Sequence, residues 1–150
     1  MYGDGRESFT PEQVMAMILS KLQETVVRET KTQGGACVIS VPSNWTDAQR
    51  RAMRDSAAIA GINCLRLVSE NCAAGLHYGF YKQGLSDSEP VYFMLFDMGH
   101  SSLTVSILSL TKAKLSVVST VTDPWLGGRE FDLLVAEHLR QKLRRITSSP

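Results

Sequence analysis

The sequence predicts an α/β fold arranged in two segments. Up to Tyr81, stretches with helical apolar spacing alternate with short apolar runs, and from Val91 three short strands follow with only tight connections. Between them lies Lys82 to Pro90, KQGLSDSEP, a polar run of turn residues and the best internal boundary. At 150 residues, 43% hydrophobic and 21% charged, the chain is globular and long enough for one ordinary core or a piece of a larger one. A formal net charge of +1 gives no electrostatic footprint for nucleic acid or a membrane surface.

Each element has its own signal. Residues 1–8 read as loop. Thr10-Pro11-Glu12-Gln13 then starts a helix: Thr10 caps it, Pro11 fits the first turn, and Gln13 closes a capping box. Val14, Met17, Ile18, Leu22 and Val26 give it one apolar stripe for a core, and it ends before Gly34-Gly35. Ala36 to Val41 is a continuous apolar run ended by Pro42, as for a strand buried on both faces. Thr46 or Asp47 caps a helix running through Ala60, with Gly61 as its C-terminal cap. Cys64 to Val68 is a second strand, and Glu70 to Tyr81 a helix whose Ala73, Ala74 and Gly75 allow close packing.

Val91 to Phe96, Leu103 to Leu108 and Leu115 to Thr122 form an antiparallel meander, the last two joined by a short turn at Lys112-Ala113. Trp125-Leu126-Gly127-Gly128 is a loop, Glu130 to Arg145 an amphipathic helix with apolar Leu133, Leu134, Ala136 and Leu139, and Thr147 to Pro150 a frayed tail.

Three cysteines, Cys37, Cys64 and Cys72, are odd in number and lack metal-ligand spacing, which reads as core thiols in a reducing compartment. No apolar run approaches a membrane span and the N-terminus is too polar for a signal peptide, so the expectation is a soluble cytoplasmic chain with no membrane partner. His77 and His138 lie on predicted helices with no partner in view, and read as surface or core residues.

The polar turn Asp97-Met98-Gly99-His100-Ser101-Ser102 carries the most chemistry. A carboxylate at a strand end, followed by Gly and small hydroxyl residues, sets an acidic group beside a row of backbone N–H dipoles. That nest suits a phosphate, and the carboxylate suits a hydrated divalent cation bound to it. The competing reading is a plain hairpin in which Asp97 bonds its own turn.

Several motifs then fall in one order. VISVPSNWTDAQRRAMRDSAAIAGINCLRLVSENCAAGLHYGFYKQ, FDMGHSSLTVSIL and DPWLGGREFD resemble the nucleotide-binding domain of the seventy-kilodalton heat-shock chaperone family, from about Phe9 to Leu143. FTPEQVMAMILSKLQET, AGINCLRL, YGFYKQ and above all DMGHS lean towards the large, 110-kilodalton heat-shock subclass. Where the common subclass has Gly-Gly-Gly-Thr, this chain has Gly99-His100-Ser101-Ser102.

The resemblance implies a partial actin-like (ribonuclease H-like) ATPase fold, with residues 1–85 in lobe one and 86–150 opening lobe two. It implies phosphate contacts from Gly99, His100, Ser101 and Ser102, a nearby Gly127-Gly128 pair, and Asp97 and Glu70 acting on Mg2+ through water, with ATP or ADP as the nucleotide. Glu70-Asn71-Cys72-Ala73 stands where the family has Glu-Pro-Thr-Ala, and a solvated helix start explains Glu70 equally well. Pro42 and Arg50 match a pair proposed to relay nucleotide state; alone, they read as a strand stop and a wet helix face. The family's first phosphate loop and hydrolytic lysine lie upstream of this segment, and its adenosine pocket and client-binding domain downstream. The expected function is therefore a catalytically silent segment of an ATP-binding chaperone or nucleotide-exchange cochaperone, whose partners are unfolded clients or another chaperone. A non-hydrolysing module that binds a partner chaperone, or another actin-like ATPase such as a sugar kinase, are the alternatives.

Overall fold

The computed structural model describes residues 7–32 and 35–147, with nothing said of the Thr147 side chain; most of the expected leading loop, Gly34 and the tail from Ser148 lie outside them. It is mixed α/β, and the described residues form two compact units that divide between Glu70 and Asn71.

The first unit holds α1 (Pro11–Thr30), β1 (Cys37–Val41), α2 (Asp47–Ile59) and β2 (Cys64–Ser69). Both helices start on a capping box. The Thr10 hydroxyl accepts from the Gln13 N–H at 3.3 Å while the Gln13 side chain accepts from the Thr10 N–H at 2.9 Å, and Thr46 and Gln49 repeat the arrangement. Thr46, not Asp47, is the cap, because only it has a glutamine three residues on. α2 stops in a Schellman turn: Gly61, at φ +70°, donates to Ala58 O, and Ile62 donates to Ala57 O. β1 and β2 share a parallel sheet, with a register shift between Cys37 and Val38.

Two expectations fail in this unit. β1 is not buried on both faces: Val41 is fully buried, but Val38 is 56% exposed and Ser40 is open. The α1 stripe of Val14, Met17, Ile18, Leu22 and Val26 stays about half exposed, while Ala16 is buried. The reason is geometric. α1 is apolar almost all round from Val14 to Leu19, and this unit supplies only α2 and a two-stranded sheet to cover it.

The second unit holds most of α3 (Glu70–Tyr81), then β3 (Val91–Met98), β4 (Leu103–Leu110), β5 (Leu115–Asp123) and α4 (Gly128–Thr147). The three strands form the expected antiparallel meander, in the order β3-β4-β5. α3 packs on one face through its small residues. A Cβ at Gly75 would stand 2.9 Å from the Leu108 side chain, and one at Gly79 3.1 Å from that of Leu110, so the glycines let the helix come this close without those leucines shifting. The ring of Tyr78 lies 4.8 Å from that of Phe93.

Strand alternation alone would leave Thr104 and Ser106 wet and bury Val105 and Ile107. The outcome is the reverse for the central pair: Ser106 is buried beneath α3 and Ile107 is exposed. The buried Asn71 amide makes this possible by donating to Ser106 Oγ at 2.8 Å and Thr120 Oγ1 at 3.0 Å. No helix among the described residues is long and apolar enough to cross a membrane.

Candidate functional site

The β3–β4 connection is shorter than the sequence suggests. Asp97 and Met98 remain in β3, paired with Thr104 and Leu103, and the turn proper is Gly99 to Ser102. Gly99 N–H closes it by donating to Ser102 O at 2.9 Å. Among the described residues no protein group accepts from the backbone N–H of His100, Ser101 or Ser102, so three adjacent donors stay unspent.

The Asp97 carboxylate is exposed and accepts no hydrogen bond from its own turn among the described residues. Asp123 shows the contrast: its Oδ1 accepts from Trp125 N–H at 2.9 Å and staples the following turn. Asp123 thus bonds its own turn between β5 and α4, and Asp97 does not bond the β3–β4 turn.

The fold brings the Gly127-Gly128 pair against this turn. Gly128 N–H donates to Gly99 O at 3.0 Å and Arg129 N–H to His100 O at 2.8 Å, so the start of α4 is tied directly to the turn. A Cβ at Gly127 would lie 2.5 Å from His100 O, 2.6 Å from His100 C and 2.8 Å from Ser101 N. Backbone fills that space, and only glycine fits. Gly127 thus serves close approach, whereas a Cβ at Gly128 would meet only ordinary contacts at 3.8 and 3.9 Å.

The same sheet face carries a polar ladder that sequence reasoning missed. Asn71 bonds Ser106 and Thr120, which bond each other at 3.0 Å, and Thr104, the cross-strand neighbour of Asp97, bonds Thr122 at 3.1 Å. Its signal was the i, i+2 spacing of Thr104 and Ser106 matched by Thr120 and Thr122. At the start of α4, burial opposes ionisation of Glu130, but the Arg129 guanidinium and backbone N–H groups around the helix start hold its carboxyl below the usual range.

Glu70 is the exposed first residue of α3. In the first unit, Arg50 donates from Nε to Trp45 O at 3.2 Å and from Nη2 to Ser43 O at 3.3 Å, with a longer contact to Pro42 O at 3.5 Å. Pro42 and Arg50 are thereby brought together, and Arg50 is tied to the turn rather than lying free on a wet face. His77 packs edge-on to Tyr81, and His138 is exposed on α4.

No cluster of three or more metal-ligating side chains occurs among the described residues. A lone, unspent carboxylate beside unspent N–H donors does fit Mg2+, which keeps most of its waters and arrives with phosphate oxygens rather than in a protein cage.

The sequence pattern of the family described as Hsp70 protein matches residues 2–148. The chain belongs to the Hsp70 protein family. Within it, the chain is 46% identical over 139 residues to heat shock 70 kDa protein 4 of Rattus norvegicus, covering 91% of this chain and 16% of the relative. It is 48% identical over 134 residues to a 97 kDa heat shock protein of Strongylocentrotus purpuratus, covering 88% and 15%. To heat shock 70 kDa protein 4L of Homo sapiens it is 44% identical over 139 residues, covering 91% and 17%. The chain thus spans about a sixth of the length of these Hsp70 relatives.

Proposed function

We propose that this segment forms one wall of an adenine-nucleotide phosphate site in an actin-like ATPase domain of a heat-shock chaperone or nucleotide-exchange cochaperone. Residues 1–85 belong to lobe one of that domain and residues 86–150 begin lobe two. His100, Ser101 and Ser102 offer backbone N–H groups to phosphate, Ser102 adds its hydroxyl, Gly127 allows the two backbones to meet, and Gly99 and Gly128 flank that meeting point. Asp97 would hold water bound to the nucleotide's Mg2+. The observation that carries this reading is the pairing of an unspent carboxylate with three unspent N–H donors on a turn fixed by α4. The whole protein would act on unfolded clients or a partner chaperone in the cytoplasm, a reading supported by membership of the family.

The test places this segment in a full-length relative, in place of the matching residues, and titrates ATP by calorimetry. Charge-assisted contacts of this kind are worth about 1.5–3 kcal/mol. Asp97→Asn should therefore weaken Mg2+-dependent ATP affinity roughly tenfold or more. The loss should shrink without Mg2+, because the carboxylate acts through the metal's water. A dissociation constant unchanged under both conditions would make Asp97 a structural residue.

A further inference from the structure

The first unit holds a feature that nucleotide binding leaves unused. Cys37 and Cys64 are the first residues of β1 and β2, and they are direct partners across the parallel ladder. Neighbouring strands run about 4.8 Å apart, inside the Cα separation of about 4.4–6.8 Å that a disulfide requires. The register breaks between Cys37 and Val38, so the pair is not locked to the ladder beyond it and can adjust. Both thiols are free and half-buried, within reach of small reagents. Cys37 also lines an apolar groove of about 260 Å³ beside α1, with Leu22, Val26, Ile39 and Ile62. Cys72 lies in the other unit, on the helix α3 rather than on a strand.

We infer that Cys37 and Cys64 form a dithiol modification site that takes a two-electron oxidant of the peroxide class and closes to a cross-strand disulfide. The Cys64 sulfur attacks a peroxide oxygen, the O–O bond breaks, and one water leaves as Cys64 becomes a sulfenic acid. The Cys37 sulfur then attacks the Cys64 sulfur, the S–O bond breaks, and the Cys37 proton departs with the hydroxide as a second water. Both electrons lost in forming the S–S bond go to the peroxide. Burial, and then the neighbouring Cys64 thiol, push the Cys37 thiol up, which suits it to the resolving step rather than the first attack.

The test oxidises the whole 150-residue chain with limiting hydrogen peroxide and digests it with trypsin without reduction. Cys37, Cys64 and Cys72 fall in separate peptides, 32–50, 55–66 and 67–82. The native chain should give mainly the 32–50/55–66 pair. In guanidinium, where loop closure decides, Cys64 should turn to Cys72, eight residues away, rather than to Cys37, twenty-seven away. Cys37→Ser should leave a dimedone-trappable sulfenic acid at Cys64, and Cys64→Ser should leave Cys37 reduced at the same dose. The same pairing in native and denatured chains, a native product led by Cys72 or by links between molecules, or separate over-oxidation of each cysteine would overturn the inference. So would equal sulfenic acid yield at Cys37 in the Cys64→Ser variant.

Discussion

Gly127 and Asn71 show how single residues decide where the site stands. A methyl group at Gly127 collides with main-chain atoms of His100 and Ser101, not with the movable end of a side chain, so backbone must shift. Gly127→Ala is expected to destabilise the chain by about 1–3 kcal/mol in denaturant unfolding, the usual cost of overpacking. Gly128→Ala is the control: its nearest neighbours would be 3.8 and 3.9 Å away, and its effect should be much smaller. Equal losses would mean that chain flexibility, not close approach, is what glycine supplies there. Asn71→Ala removes the amide that satisfies Ser106 and Thr120 beneath α3, and should cost about 1–3 kcal/mol. An Asn71→Ala chain as stable as wild type would show that the two hydroxyls satisfy each other without it.

At the scale of elements, the ends of helices do as much as their faces. α2 is fixed at both ends by local chemistry, Thr46 with Gln49 at one and Gly61 at the other, and its limits were readable from those residues. α4 begins differently, with its first N–H groups spent on the β3–β4 turn and Glu130 held ionised beside Arg129. A carboxyl held below its ordinary value of 4.5 adds stability that is fully present above that pH and lost as pH falls through the lower folded value. The stability difference between wild type and Glu130→Gln should therefore be constant from neutral pH down to about 4.5 and close below it. Thermal unfolding of both across that range checks this; a difference that widened below pH 4.5 would contradict it.

Each unit leaves apolar surface open. Large apolar residues remain exposed on α1, on α4 and on the β3 face bearing Tyr92, Met94 and Phe96. The segment also spans only about a sixth of its relatives. Phosphoryl transfer depends on several charged and positioning groups acting together, and the site proposed above would supply only a fraction of them. The isolated chain should release no phosphate from ATP above background, and Asp97→Asn should change nothing in that assay. Turnover that disappeared in Asp97→Asn would show that the segment carries its own catalytic machinery.

The sequence by itself determined the element order, the capping box of α1, the three-stranded meander and the place of the β3–β4 turn, because each rests on interactions spanning a few residues. The ordered motifs also led to the family. Three things were decided only in the tertiary structure. One is which sheet face is covered: the alternation of β4 points to Val105 and Ile107, but glycines at 75 and 79 and the Asn71 amide place α3 over Ser106 and Leu108. Another is that Asp97 stays in β3 with its carboxylate unspent, which depends on the Gly99–Ser102 bond closing the turn without it. The third is the meeting of residues 99–101 with residues 127–129, which are distant in sequence. No local pattern encodes such contacts, because their cost in chain entropy is recovered only when the surrounding core has formed.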